Sequence, residues 1–198
     1  GDHRDLHLSI RRQRQMCIRD SGIEITSKRI AFLLDVSNSM LAKARGAEAR
    51  KLGLSKLDVM KAELAKVVEK LPLGAGINIM IFDRTIRVWE KSLKILTRSV
   101  RKKALAYAKG LTTGGGTNIF DTVERALKDP LVDTIYLLTD GLPTRGRIKA
   151  PAAILKEIDI LNRARGVTIH TIAFGAESDL LRQLAERNGG QYRFVDRY

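Results

Sequence analysis

Asp35, Ser37 and Ser39 stand at alternate positions where an apolar run ends, in the stretch "FLLDVSNSM" (residues 32–40). On an extended backbone alternate side chains point the same way, so one carboxylate and two hydroxyls can converge on one point. Hydroxyls are weak, neutral ligands, and a cluster rich in them suits a hard cation. Magnesium takes oxygen ligands at about 2.1 Å in near-octahedral geometry and keeps some water. Taken alone, the same pattern also describes a turn capped by Asp35, with the serines filling a loop. Two further segments carry chemistry of the same kind. "TTGGGTNIFD" (residues 112–121) delivers Thr117 from a triple-glycine loop just ahead of a helix. "LLTDGLPT" (residues 137–144) places Asp140 at the exit of another apolar run, where Gly141 allows a sharp turn.

The elements that must position these groups are legible as alternating periods. Apolar runs at 30–36, 77–82, 135–139 and 167–174 read as strands covered on both faces. Residues 85–91, "TIRVWEK", alternate and read as an exposed or edge strand, and 192–195 as a final strand. Residues 57–71 place Leu57, Met60, Leu64, Val67, Val68 and Leu71 on one helical stripe, stopped by Pro72. Helices are also expected over 98–109, 119–128, 151–165 and 179–188, the third with Pro151 near its start and Gly166 after its end. Strands alternating with helices predict a mostly parallel sheet between two helical layers. In such sheets ligands bind beyond the carboxyl ends of the strands, the face on which Asp35 and Asp140 both emerge.

The three pieces together resemble the von Willebrand factor A (VWA) domain family and its metal-ion-dependent adhesion site (MIDAS). That site has D-x-S-x-S after the first strand, a threonine in a second loop and an aspartate in a third. The resemblance covers nearly all of residues 28–198. It implies an α/β, three-layer, open and mostly parallel twisted sheet with helices on both faces, Rossmann-like, with one antiparallel edge strand. It also implies a metal held directly by Ser37, Ser39 and Thr117, with Asp35 and Asp140 supplying charge and holding ligands or bound water. The cation would be Mg2+, or Mn2+ or Ca2+ in its place, and an acidic residue of a partner protein would take the sixth position. Asn38 departs from the glycine common in the family, and Asn tolerates unusual backbone angles better than most residues.

Enzymatic signatures are sparse. Neither a G-x-x-x-x-G-K-[ST] loop nor a G-x-G-x-x-G turn after the first strand occurs. A magnesium-dependent phosphatase-like enzyme also carries Asp at the end of a first strand. Such sites resemble D-x-D, and the second Asp is replaced here by Ser37, which cannot hold a proton in reserve. The Gly114–Gly116 run is suited to positioning Thr117 and, as an alternative, to cradling an anion on its N–H groups. His170, in "VTIHTIAF", reads as a packed core residue.

Residues 11–21, "RRQRQMCIRDS", have neither hydrophobic period nor turn logic. They resemble a translated transposon-end adaptor of the kind used in DNA sequencing libraries. Residues 1–21 are therefore read as a non-native, disordered tail or scar, and 22–198 as a VWA-like domain belonging to a longer multidomain chain. The single cysteine, Cys17, falls in the tail, so a disulfide or thiolate metal site is excluded from the domain. Five of the 36 basic and three of the 22 acidic residues fall in 1–21, which leaves 31 and 19, a net charge of +12, on residues 22–198. That excess favours acidic partners. Lys43, Arg45, Arg50 and Lys51 follow the first metal loop, and Arg145, Arg147 and Lys149 the third. They are expected to rim the site or to be ordinary solvated loop charges. A third cluster, Arg98, Arg101, Lys102, Lys103 and Lys109, keeps a nucleic-acid-binding module as the rival to a protein-binding one. Aromatic residues are only 5% of the chain, too few for an obvious base-stacking platform. No apolar run approaches the ~18 residues of a membrane span.

Overall fold

The computed structural model describes residues 27–195. The expected non-native tail, with Cys17, His3 and His7, lies outside the described residues. The first strand, β1 (Arg29–Asp35), is buried from its second residue to its last, and its side chains divide between two cores. Ile30, Phe32 and Leu34 face one helical layer, and Ala31 and Leu33 the other. This division explains why the run is continuously apolar rather than alternating.

Residues 38–41 form a short 3-10 turn, and α1 (Ala47–Leu52) follows inside the basic insertion. This α1 helix is not among the helices expected from the sequence. Next comes α2 (Lys56–Lys70), capped by a reciprocal pair: the Ser55 hydroxyl accepts from the Asp58 N–H, and the Asp58 carboxylate accepts from the Ser55 N–H. Its buried stripe of Leu57, Met60, Leu64 and Val68 packs on the first face of the sheet with Ala104 and Ala108 of α3 (Arg98–Lys109). The opposite face carries α4 (Ile119–Leu127), α5 (Pro151–Arg163) and α6 (Asp179–Arg187). Val123, Ile154, Ile158, Leu181 and Leu184 fill the space beneath them. Fully burying one such side chain is worth about 1.5–3 kcal/mol, so both layers are held firmly to the sheet.

The remaining strands are β2 (Gly76–Phe82), β3 (Ile86–Val88), β4 (Lys94–Ile95), β5 (Thr134–Thr139), β6 (Thr168–Phe174) and β7 (Tyr192–Val195). They form a seven-stranded sheet in the order β3-β2-β1-β5-β6-β7, with β4 also paired to β2. Every pairing from β2 through β7 along this order is parallel. The antiparallel edge is made of two short pieces, β3 and β4, side by side along β2. Two residues of β4 carry too little pattern to be read from sequence. Among the described residues, no helix is long and apolar enough to cross a membrane.

Candidate metal centre

The parallel register of β1 and β5 pairs Leu34 with Leu138, which brings Asp35 alongside Thr139 and Asp140. Winding also reverses here: β1 leads through α2 to β2 on one side, while β5 leads through α5 to β6 on the other. Such a switch point opens a crevice at the carboxyl ends of the strands. Asp35 sits at its floor with no exposed surface. One carboxylate oxygen accepts from the Ser37 N–H at 2.8 Å, and the other from the Thr139 hydroxyl. Asp35 thus ties the end of β1 to its own loop and to β5. Burial pushes its carboxyl up to about 6 from the usual 3.8, the hydrogen bonds from Thr139 and Ser37 hold it from rising further, and the charge of Asp140 adds to the rise.

Above this floor the oxygens form a chain. Ser37 Oγ lies 2.9 Å from Ser39 Oγ, and Ser39 Oγ donates to Asp140 Oδ1 at 2.7 Å. Neighbouring ligands of an octahedral magnesium ion stand about 3.0 Å apart, the edge set by bonds of about 2.1 Å. The steps from Ser37 to Ser39 and from Ser39 to Asp140 are ordinary hydrogen-bond lengths and lie close to that edge. Among the described residues there is no group of three or more His, Cys, Asp or Glu placed to hold a metal. The donor set is hydroxyl-rich, and its chemistry fits a hard divalent cation.

The second loop runs beside the first. Gly114 pairs with Ser37, and its N–H donates to the Val36 carbonyl at 2.7 Å. A side chain at Gly114 would run into the Asp83 carboxylate, and one at Gly116 would meet Arg145 Cγ at 2.5 Å. The glycines are thus required by close approach as well as by the positive φ of Gly116 (82°). Thr117, buried at 4% exposure, is gripped by the third loop. Its N–H donates to the Thr144 hydroxyl at 3.0 Å, and its carbonyl accepts from the Thr144 and Arg145 N–H groups. Loops one, two and three are therefore braced together, and Asp35, Ser37, Ser39, Thr117 and Asp140 share one end of the sheet.

The chain bends at Asp140 and Gly141 as expected, without a positive φ at Gly141; the left-handed residue of this loop is Gly146 (φ 100°). Asn38 needs no unusual angles, because among the described residues every positive φ belongs to glycine, and it opens an ordinary 3-10 turn. His170 is packed as expected, stacked on Tyr136 at 4.7 Å, with Nδ1 accepting from the Gln191 N–H.

The basic rim differs from the sequence expectation. Arg147 is neutralised by Asp121 at 3.4 Å and Glu124 at 2.8 Å, both on α4. Lys43 donates to the Gly53 carbonyl within its own insertion. Arg145 does lie at the site, against Gly116, and two cations that the sequence did not single out join it. Lys56 Nζ donates to Asp140 Oδ2 at 2.6 Å. Arg84 lies over the glycine loop, where a Cβ on Gly115 would meet its Nη2 at 2.7 Å. The only local sign of Lys56 was a cation in the first turn of a helix, where the macrodipole disfavours it.

The fold and the three braced loops define a class. The von Willebrand factor type A domain profile matches residues 28–194, and the chain belongs to that family. It is 26% identical over 172 residues to human von Willebrand factor A domain-containing protein 3B, covering 84% of this chain and 12% of that protein. It is 27% identical over 188 residues to human inter-alpha-trypsin inhibitor heavy chain H4, covering 88% of this chain and 19% of that protein. The chain thus spans less than a fifth of either relative. Among solved structures, a von Willebrand factor type A protein from Catenulispora acidiphila superposes with a TM-score of 0.69 at 18% identity, over 87% of this chain and 40% of that one.

Proposed function

We propose that the domain is a divalent-cation-dependent protein-binding module. Ser37, Ser39 and Thr117 would hold the cation, most suitably magnesium, with manganese or calcium as substitutes. Asp35 and Asp140 would supply the charge that keeps it there. When bound, the cation supplies a Lewis-acidic position open to a carboxylate of an acidic partner segment. The observation that carries this reading is the Ser37–Ser39–Asp140 oxygen chain, with steps of 2.9 and 2.7 Å. Asp35 would act from behind, since hydrogen bonds from Ser37 and Thr139 aim its charge at the loop. Membership of the VWA family supports an interaction role rather than catalysis, and Ser37 stands where a phosphatase-like site would need a second acid.

Calorimetric titration of the chain with magnesium and manganese tests the reading, alongside Ser39→Ala. Binding by the parent, weakened about tenfold or more in the variant, is the expected outcome. Equal binding by both would place the cation elsewhere. A second reading, nucleic-acid binding, draws on the exposed Arg98, Lys102, Lys103 and Lys109 of α3. Steeply salt-dependent binding of RNA or DNA that survives chelation would favour it.

A further inference from the structure

Lys56 is an unusual neighbour for a cation site. Its ammonium lies 2.6 Å from Asp140 Oδ2, and the two side chains are 19% and 1% exposed. The other oxygen of Asp140 takes the Ser39 hydroxyl. Asp140 is thus shared between the oxygen chain and a resident cation. The lysine is held in this pose from two sides. It is the first residue of α2, fixed by the Ser55–Asp58 cap, and its stem lies against Gly175. A Cβ on that glycine would meet Lys56 Cε at 2.8 Å and Nζ at 3.1 Å. An ammonium in the first turn of a helix opposes the macrodipole, so the position is costly unless Asp140 compensates it.

The charges then sum differently from what Asp35 and Asp140 alone imply. Two carboxylates would neutralise a divalent cation. With Lys56 counted, the cation and the three groups Asp35, Asp140 and Lys56 together carry one positive charge in surplus, in a crevice where Asp35 has no exposure and screening by water is weak. We propose that Lys56 is a tethered counter-ion that makes cation binding and acidic-partner binding one coupled event. The lysine lowers the affinity of the free domain for its cation, and an outside carboxylate restores charge balance. By linkage, the carboxylate tightens cation binding by the same factor that the cation tightens carboxylate binding. This inference rests on the cation site proposed above.

The test is calorimetric titration with Mn2+ of the whole chain and of Lys56→Met, each in acetate and in chloride at equal ionic strength. The parent should bind Mn2+ more tightly in acetate than in chloride. Lys56→Met should bind Mn2+ in chloride about tenfold or more tightly than the parent, and its gain from acetate should shrink. Equal affinity of parent and variant in chloride, or loss of binding in the variant, would overturn the inference and leave the cation site standing. Absence of Mn2+ binding by the parent in both buffers would instead remove the site and the inference together. Should Lys56→Met fail to fold, as judged by circular dichroism, the parent decides alone: Mn2+ affinity unmoved by acetate overturns the coupling.

Discussion

Two aspartates leave the same end of the sheet on neighbouring strands and meet opposite fates. Asp83, just after β2, begins a D-x-T pattern; Asp35, at the end of β1, begins D-x-S-x-S. Asp83 spends its oxygens within its own turn: the Thr85 N–H at 2.7 Å, the Thr85 hydroxyl at 2.8 Å and Arg87 at 3.2 Å. Asp35 accepts one bond from its own loop and one from Thr139, 104 residues away. Its loop then passes the Ser37 and Ser39 hydroxyls on to Asp140. A carboxylate at a strand exit is thus a turn cap when its partners are local. It becomes part of a candidate site when hydroxyls and a second carboxylate arrive from other strands.

The largest expected effect separates these two residues. Asp35→Asn should weaken Mg2+ or Mn2+ binding by about 100-fold while leaving the fold intact, because Asn retains the shape and one acceptor. Asp83→Asn should leave affinity within about twofold. The comparison fails if calorimetry finds equal losses. Asp35→Ala is a harsher change than Asp35→Asn. Beyond relieving repulsion between carboxylates, it strips the Ser37 N–H and the Thr139 hydroxyl of their acceptor in a buried place. A cost of about 1–3 kcal/mol is expected, read as a lowered Tm.

Gly114→Ala sharpens the same contrast from the other side. The new methyl group would press on the Asp83 carboxylate, so Asp83 must leave its cap or the glycine loop must shift. A loss of about 1–3 kcal/mol is expected, a fall in Tm of roughly 2–4 °C for each kcal/mol in a chain of this size. An unchanged melting curve would mean that Asp83 does not brace the loop.

The smallest effect concerns pH. Burial lowers the pKa of His170 to about 4 from 6.5, so the unfolded chain takes up the proton first. The stability it contributes is fully present above pH 6.5 and is lost as pH falls toward 4. The Asp35 carboxyl, raised from 3.8 to about 6, acts in the opposite sense in the cation-free protein: stability falls as pH rises through that window. Comparison of the parent with His170→Phe, melted at pH 5 and pH 7, cancels the Asp35 contribution. The variant should lose less on acidification than the parent; an equal loss would mean that His170 does not titrate as its burial implies.

Much of the fold was legible because its signals are local. Continuous apolar runs mark strands covered on both faces, and the periodic stripe of α2 with Pro72 behind it marks a buried helix. The oxygen cluster was legible because Asp35, Ser37 and Ser39 alternate within one short stretch. The rest depends on what the chain meets after folding. Arg147 reads as a charge that rims the site or as an ordinary solvated loop charge, and the fold pairs it with Asp121 and Glu124 of α4. Nothing in the sequence joins Lys56 to the carboxylate it holds, 84 residues away. Gly114 reads as one of three residues that position Thr117, and the contact with Asp83 that leaves it no room for a side chain appears only in the fold.

The most direct test of the central claim is anomalous diffraction from crystals of the chain soaked in Mn2+ with acetate. An anomalous peak within about 2.2–2.3 Å of Ser37 Oγ and Ser39 Oγ, on the Asp140 side of the crevice, is the predicted result. A peak elsewhere, with Ser37 and Ser39 still bonded only to each other and to Asp140, would contradict it.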